Sequence, residues 1–214
     1  MDGTLVNTEP YWIAAETALV EAYGGTWSEE EALKLVGQAL EYSAGVLRGK
    51  GVDLEPHEII AHLTDRVIAQ LAEFGPPWRP GAKELLIELR EAGIPTALVT
   101  MSTRRMAEHV VGQLGFVGFD AIVSGDDVER GKPHPEAYLR GAELLGVEAS
   151  ECVAIEDSVP GITSAAASGA ITVGVPFMAE IPHSDAYTLW PSLDGRHVAD
   201  LVALAGRAHE GNRA

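Results

Sequence analysis

Residues 152–175 read CVAIEDSVPGITSAAASGAITVGV. The stretch opens on a short apolar run, Cys152–Ile155, turns polar at Glu156-Asp157-Ser158, and passes through a helical segment around Gly161–Ala167 into a second apolar run, Ile171–Val175. A run of four or five apolar residues, a helix and another such run make a βαβ unit, which requires parallel strands. The same rhythm extends toward the amino terminus. Ala82–Ala92 is helical and stops at Gly93, and Thr96–Val99 is a run of strand formers. A helix over Thr103–Leu114, a run at Ala121–Val123 and a helix over Pro135–Leu145 follow. Right-handed crossovers place the carboxyl ends of such strands on one edge of the sheet, where ligands bind. The fold class read from this is α/β, a Rossmann-like parallel sheet. The polar tail from Gly206 onward is expected to fray.

Before residue 80 the periodicity is helical. Thr8 is placed to cap a helix with Pro10 in its first turn and Trp12, Ala15, Leu19 and Tyr23 on one face. Ser28-Glu29-Glu30-Glu31 has the form of a capping box. A third helix is expected near Glu41–Arg48, and Ile60, Leu63, Val67, Leu71 and Phe74 give a fourth its apolar stripe. Gly75-Pro76-Pro77 and Arg79-Pro80-Gly81 then mark a boundary.

Composition narrows the function classes. A chain of 214 residues holds one sizeable core, or a core and a small accessory domain. With 15 Lys and Arg against 32 Asp and Glu, the formal charge is -17, so nucleic acid and anionic membrane are excluded as partners. The single cysteine, Cys152, rules out an intramolecular disulfide and a Cys-rich zinc site; it reads as a small core residue in a reducing compartment. No apolar run approaches the ~20 residues of a membrane span and no leader opens the chain, so a soluble, cytoplasmic protein is expected.

The polar residues at the strand ends suggest a chemistry. Thr100 follows the first run, Ser124-Gly125-Asp126-Asp127 the second and Glu156-Asp157 the third, while Gly131-Lys132-Pro133 leads into a helix and Asp2-Gly3-Thr4 stands near the amino terminus. Acids, hydroxyls and a lysine gathered on one edge suit a phosphoryl group: carboxylates hold Mg²⁺, hydroxyls and backbone N–H groups bind phosphate oxygens, and an ammonium offsets charge as the bond breaks.

Met1-Asp2-Gly3-Thr4, Thr100, Lys132-Pro133 and Glu156-Asp157-Ser158 resemble, in order, the four motifs of the haloacid dehalogenase superfamily of Mg²⁺-dependent phosphotransferases. The helical insert is similar to the small cap of its β-phosphoglucomutase and phosphoglycolate phosphatase branch. The resemblance implies a core made of residues 1–8 and 80–214 and a cap made of residues 9–79. By it, Asp2 is the general acid/base, Thr100 and Lys132 bind the phosphate, and Asp2, Glu156 and Asp157 hold Mg²⁺. Thr4, Met101 and Ser102 contact substrate, as does the cap loop Gly37-Gln38-Ala39. The family's first motif is Asp-x-Asp-Gly-Thr at the end of a central strand, and its first Asp takes up the phosphoryl group. Met1 stands at the x position. The expectation is therefore that the nucleophile and the first core strand are missing from these 214 residues, a start read at an internal Met being the simplest account. Such a chain is expected to be inactive, less stable than its parent, and left with two exposed strand edges.

Other readings of these residues compete. Asp2 in an Asp-Gly turn, Thr100 as a helix cap, Asp157 or Ser158 as a cap and Lys132 as a solvated loop lysine are the plain structural alternatives. Asp127 is either a supporting residue of the site or the end of a strand. His57 and His62 are five residues apart, which turns them away from a shared metal, and His134 belongs to loop geometry. Trp12, Trp27 and Trp78 read as packing. Leu40 stands where phosphomutases of the branch usually carry an arginine for a second phosphate, which favours hydrolysis of a small phosphomonoester such as a sugar phosphate. Asn7 replaces a common acid of the motif and is expected to affect cap positioning. A phosphomutase and a non-catalytic phosphometabolite-binding protein remain alternatives, as monomer or homodimer. A phosphoacceptor signalling domain is rejected, because Lys132 precedes the acid pair, and a dehalogenase proper is disfavoured.

Overall fold

The computed structural model describes residues 1–36, 38–178 and 180–211. The chain divides into two compact units: Asn7–Pro77, and Met1–Val6 with Trp78–Ala214.

The first unit is built from α1 (Glu9–Ala22), α2 (Glu29–Leu33), α3 (Leu40–Gly49) and α4 (Pro56–Phe74). Ser28 closes the expected capping box on α2: its Oγ accepts from the Glu31 N–H at 3.3 Å, and Glu31 Oε2 accepts from the Ser28 N–H at 3.0 Å. Thr8 stands at the N-cap position of α1, but its buried side chain makes no capping bond there, against the sequence reading. The stripe on α4 is also displaced. Ile59, Leu63, Val67 and Leu71 are buried, whereas Ile60 is half-buried and Phe74 is 66% exposed. Steps of four keep 59, 63, 67 and 71 on one face, and Ile60 lies about 100° round from Ile59. Glu16 is buried among these helices, with the Trp27 indole N–H donating to its carboxylate at 3.3 Å. Burial pushes its pKa up to about 7, against the pull of that hydrogen bond.

In the second unit the alternation read from the sequence appears as α5 (Ala82–Glu91), β1 (Ala97–Val99), α6 (Arg104–Gly112), β2 (Ala121–Val123), α7 (Glu136–Leu145), β3 (Val153–Glu156), α8 (Val159–Ala167) and β4 (Ile171–Gly174). Strand β5 (Thr188–Leu189) and helix α9 (Val198–Gly211) complete it. The ladders between these strands are parallel: Leu98 pairs Ile122, Ala154 pairs Thr172, and Val173 pairs Thr188. Helix α9 runs past Gly206 to Gly211, and the last three residues of the tail expected to fray lie outside the described residues; Leu201 and Leu204, three apart, anchor its buried face.

The sheet is in two parts. β1 pairs with β2, and β3 with β4 and then β5; among the described residues no ladder joins β1 to β3. Ala97 and Val99 on one edge, and Val153 and Ile155 on the other, are half-buried where a central parallel strand is covered on both faces. Cys152, expected in the core, is likewise only half-buried, just ahead of β3 on the open edge.

Candidate active site

The polar cluster forms at the carboxyl ends of β1 and β3. Past β1, Thr100 is buried and its Oγ1 accepts from the Ser102 N–H at 3.1 Å. The cap of α6 falls to Thr103, whose Oγ1 accepts from the Met106 N–H at 3.4 Å, so the hydroxyl of Thr100 is not spent on a helix end. Ser102 Oγ donates to Asp2 Oδ2 at 2.6 Å. Asp2 is followed by Gly3 at φ +76°, where a Cβ would lie 2.0 Å from Asp157 Oδ2. Only glycine lets this turn close onto that carboxylate. Thr4 Oγ1 then donates to Asp157 Oδ1 at 2.8 Å.

Glu156 ends β3 and turns inward. Its Oε1 accepts a hydrogen bond from the Tyr138 hydroxyl at 2.5 Å and is ion-paired with Lys132, whose side chain is 9% exposed against 6% for Glu156. Lys132 Nζ also donates to the Val99 carbonyl at 3.1 Å, tying the loop before α7 to the end of β1. Ser158, the N-cap of α8, accepts from the Gly161 N–H at 3.2 Å and lies 3.4 Å from Glu156 Oε2. A Cβ on Gly161 would fall 2.0 Å from that same oxygen.

The two adjacent acids are held differently. Burial pushes the pKa of each upward. For Glu156 the charges of Lys132 and the amino terminus, with the hydrogen bonds from Lys132 and Tyr138, outweigh burial and hold it below the ordinary carboxylate value. Asp157 is pushed up to about 6 by burial and then by the charge of Glu156, against the amino terminus and the Thr4 hydrogen bond. Burial and the nearby carboxylate charge raise the Tyr138 phenol well above its usual range.

A pair of adjacent buried acids is a donor set that suits a hard dication. Among the described residues no three Asp, Glu, His or Cys side chains converge as a metal cluster. Mg²⁺ is ordinarily held by one or two carboxylates with substrate and solvent oxygens, so the oxygen donors of Asp157, Glu156 and the Asp2 segment fit it.

Of the residues singled out from the sequence, Asp2, Thr4, Thr100, Ser102, Lys132, Glu156 and Asp157 are joined in this network of contacts. Met101 contributes its sulfur, which accepts from the Lys132 N–H at 3.4 Å. Gln38 and Ala39 lie in the helical unit just before α3 and are exposed, and Gly37 lies outside the described residues. Asp127 is a structural clamp: its Oδ2 accepts from Ser124 N–H at 2.7 Å and from Arg104 Nη2 at 2.5 Å. His134 Nδ1 accepts from the Glu136 N–H at 3.2 Å, a loop role, and His57 and His62 are exposed. Tyr138 escaped the sequence reading, since a tyrosine on an amphipathic helix looks like packing.

A profile of the haloacid dehalogenase-like hydrolases matches residues 1–169. The chain belongs to this family. Among haloacid dehalogenase-like relatives, it is 32% identical over 194 residues to hexitol phosphatase A of Escherichia coli (strain K12), covering 85% of this chain and 83% of that protein. It is 30% identical over 177 residues to the fructose-1-phosphate phosphatase YqaB of the same strain, covering 82% and 93%. It spans 48% of the bifunctional riboflavin kinase/FMN phosphatase of Arabidopsis thaliana, at 30% identity. The crystal structure of CbbY from Rhodobacter sphaeroides in complex with phosphate superposes with a TM-score of 0.85 at 28% identity, covering 94% of this chain and 96% of that one. The fold is thus the α/β fold of the haloacid dehalogenase-like hydrolases.

Proposed function

We propose that this chain is the greater part of a Mg²⁺-dependent phosphatase acting on a small phosphomonoester, a sugar phosphate or similar metabolite, in the cytoplasm. The observation that carries the reading is the contact network that links Asp2 through Ser102 to Thr100, and Lys132 through Glu156 to the acid beside it. Relatives named as hexitol and fructose-1-phosphate phosphatases support the substrate class. Leu40, the first residue of α3, stands where phosphomutases of the branch usually carry an arginine, and by that resemblance it favours hydrolysis over phosphomutase chemistry.

Thr100 and Ser102 offer hydroxyls, and the turn after them backbone N–H groups, to phosphate oxygens. The Lys132 ammonium neutralises charge that builds on the transferring group. The phosphoryl group passes to a carboxylate two positions before Asp2, outside the 214 residues, to give an aspartyl phosphate. Asp2 donates its proton to the departing alkoxide and then takes one from the water that cleaves the aspartyl phosphate, so protons balance over the cycle. Bound at Asp157, Glu156 and the Asp2 segment, Mg²⁺ supplies Lewis-acid stabilisation of phosphate charge.

The test is phosphate release from a hexitol phosphate and from fructose 1-phosphate, with and without Mg²⁺. Two proteins are compared: this chain, and this chain preceded by an apolar strand that ends in Asp. The reading expects Mg²⁺-dependent release by the longer protein and none by the shorter. Silence of a folded longer protein would overturn it in favour of a non-catalytic phosphometabolite-binding protein.

A further inference from the structure

Several arginines of the sheet unit sit on carboxylates: Arg90 on Asp120, Arg104 on Asp127 and Arg196 on Asp200. Arg79 forms no such pair among the described residues. Its guanidinium carbon lies 3.8 Å over the centre of the Phe177 ring instead. A phenyl ring attracts a guanidinium by its face and takes up none of its N–H donors, so the cation is held in place with its hydrogen-bonding rim unspent.

This stack stands beside the acid pair, and backbone hydrogen bonds put it there. The Arg79 N–H donates to the Leu5 carbonyl at 2.9 Å, and Trp78 forms an antiparallel bridge with Val6. Thr4, the residue before Leu5, donates to Asp157 Oδ1 at 2.8 Å. The turn through Gly3, Thr4 and Leu5 therefore meets both the Asp157 carboxylate and the backbone of Arg79. Phe177 comes from the end of β4, where the Val175 N–H donates to the Glu156 carbonyl at 2.7 Å. Burial lowers the pKa of Arg79 and the charge of Asp157 opposes that shift, which puts the guanidinium within electrostatic reach of the acid.

The two acids thus meet positive charge in different ways. Glu156 is ion-paired with Lys132, whereas Asp157 receives the neutral Thr4 hydroxyl and has the Arg79 cation near it but not on it. A guanidinium closed onto Asp157 would make a bidentate pair and occupy the oxygens a dication needs. Held on the ring, it leaves those oxygens open while its charge still opposes a dication through space.

We infer that Arg79 and Phe177 together set the Mg²⁺ affinity of Asp157: the ring keeps the guanidinium off the carboxylate, and the guanidinium weakens metal binding from a distance. Both are positioning residues in this role, and the inference rests on the proposed reading of Asp157 as a Mg²⁺ ligand. It requires the two substitutions to act with opposite sign. Mg²⁺ is titrated calorimetrically at pH 8 and low ionic strength into this chain and into the longer protein that restores the strand ending in Asp. Each is compared with its Arg79→Gln, Arg79→Lys and Phe177→Leu variants and the Arg79→Gln/Phe177→Leu double variant, all checked by circular dichroism. Arg79→Gln is expected to tighten binding about threefold to tenfold by removing a positive charge near the dication, and Arg79→Lys, which keeps the charge, is expected not to tighten it. Phe177→Leu is expected to weaken binding, because the freed guanidinium closes on Asp157. The double variant should match Arg79→Gln, since the ring then has no cation to hold. Weaker binding in both single variants, or a Phe177→Leu effect that persists in the double variant, overturns the inference. Should Phe177→Leu not fold, the sign of the Arg79→Gln effect decides alone. Mg²⁺ binding that Arg79→Gln leaves unchanged overturns this inference and spares the Mg²⁺ reading, whereas no binding by either parent protein overturns both.

Discussion

Replacing Lys132 by Met leaves the site with a buried acid that has lost its ion-pair partner. Glu156 keeps the Tyr138 hydroxyl at 2.5 Å and Ser158 at 3.4 Å, but neither carries charge. Removing one partner of a buried ion pair costs about 3–5 kcal/mol. Protonation limits the loss. In the parent, Glu156 has a depressed pKa, so its contribution is present above the ordinary value of 4.5 and is lost as pH falls. In Lys132→Met the shift reverses, and stability drops as pH rises above that ordinary value. The penalty should therefore shrink as pH falls from 7 toward 4.5, at a rate of at most ~1.4 kcal/mol per pH unit. Urea unfolding at several pH values measures it, and the same substitution in a Glu156→Gln background gives the coupling. We expect the cost to fall below about 1 kcal/mol in that background. A penalty below about 1 kcal/mol at pH 7, or one untouched by Glu156→Gln, would refute the claim that Lys132 compensates Glu156.

Three further outcomes follow from the geometry. In the helical unit, the folded state holds a proton on Glu16 up to about pH 7 that the unfolded chain has released by about 4.5. Stability should therefore decline as pH rises through that window, and Glu16→Gln should abolish the slope and gain up to about 3 kcal/mol at pH 8; a slope that survives the substitution contradicts the assignment. Gly161→Ala places a methyl 2.0 Å from Glu156 Oε2 and should cost about 1–3 kcal/mol in thermal unfolding, while Gly45→Ala, with open space around it, should not destabilise. Mg²⁺ affinity by calorimetry should rise roughly tenfold from pH 5 to pH 7 as Asp157, held near 6, loses its proton, then level off; a flat profile removes Asp157 from the metal site.

Features set by local rules were legible in the sequence. The Ala121–Val123 strand and the Ser28 box follow from short-range chemistry and appear where expected. The gathering of polar residues at the ends of β1 and β3 was legible because parallel topology brings strand ends together. What escaped depends on neighbours distant in sequence. Tyr138 matters only because α7 places its hydroxyl on Glu156. Cys152 looked like core because the run it opens is apolar, yet burial of that run depends on what lies beside β3. β5 is two residues long, too short for any alternation to register. The Ile60 and Phe74 error came from reading a stripe without its partner helix: α4 also buries Thr64, a polar residue that a hydrophobicity pattern skips.

Tyr138 gives the site an optical consequence. Its phenol donates to Glu156, and its ring lies 4.9 Å from the Lys132 ammonium. Near-ultraviolet absorption of a phenol responds to the charge on its hydrogen-bond acceptor and to a cation over its ring. Rearrangement of Lys132 or neutralisation of Glu156 should therefore register as a tyrosine difference spectrum, and Tyr138→Phe identifies the signal by removing it. The acid pair carries a built-in chromophore, and its occupancy can be followed in unlabelled protein.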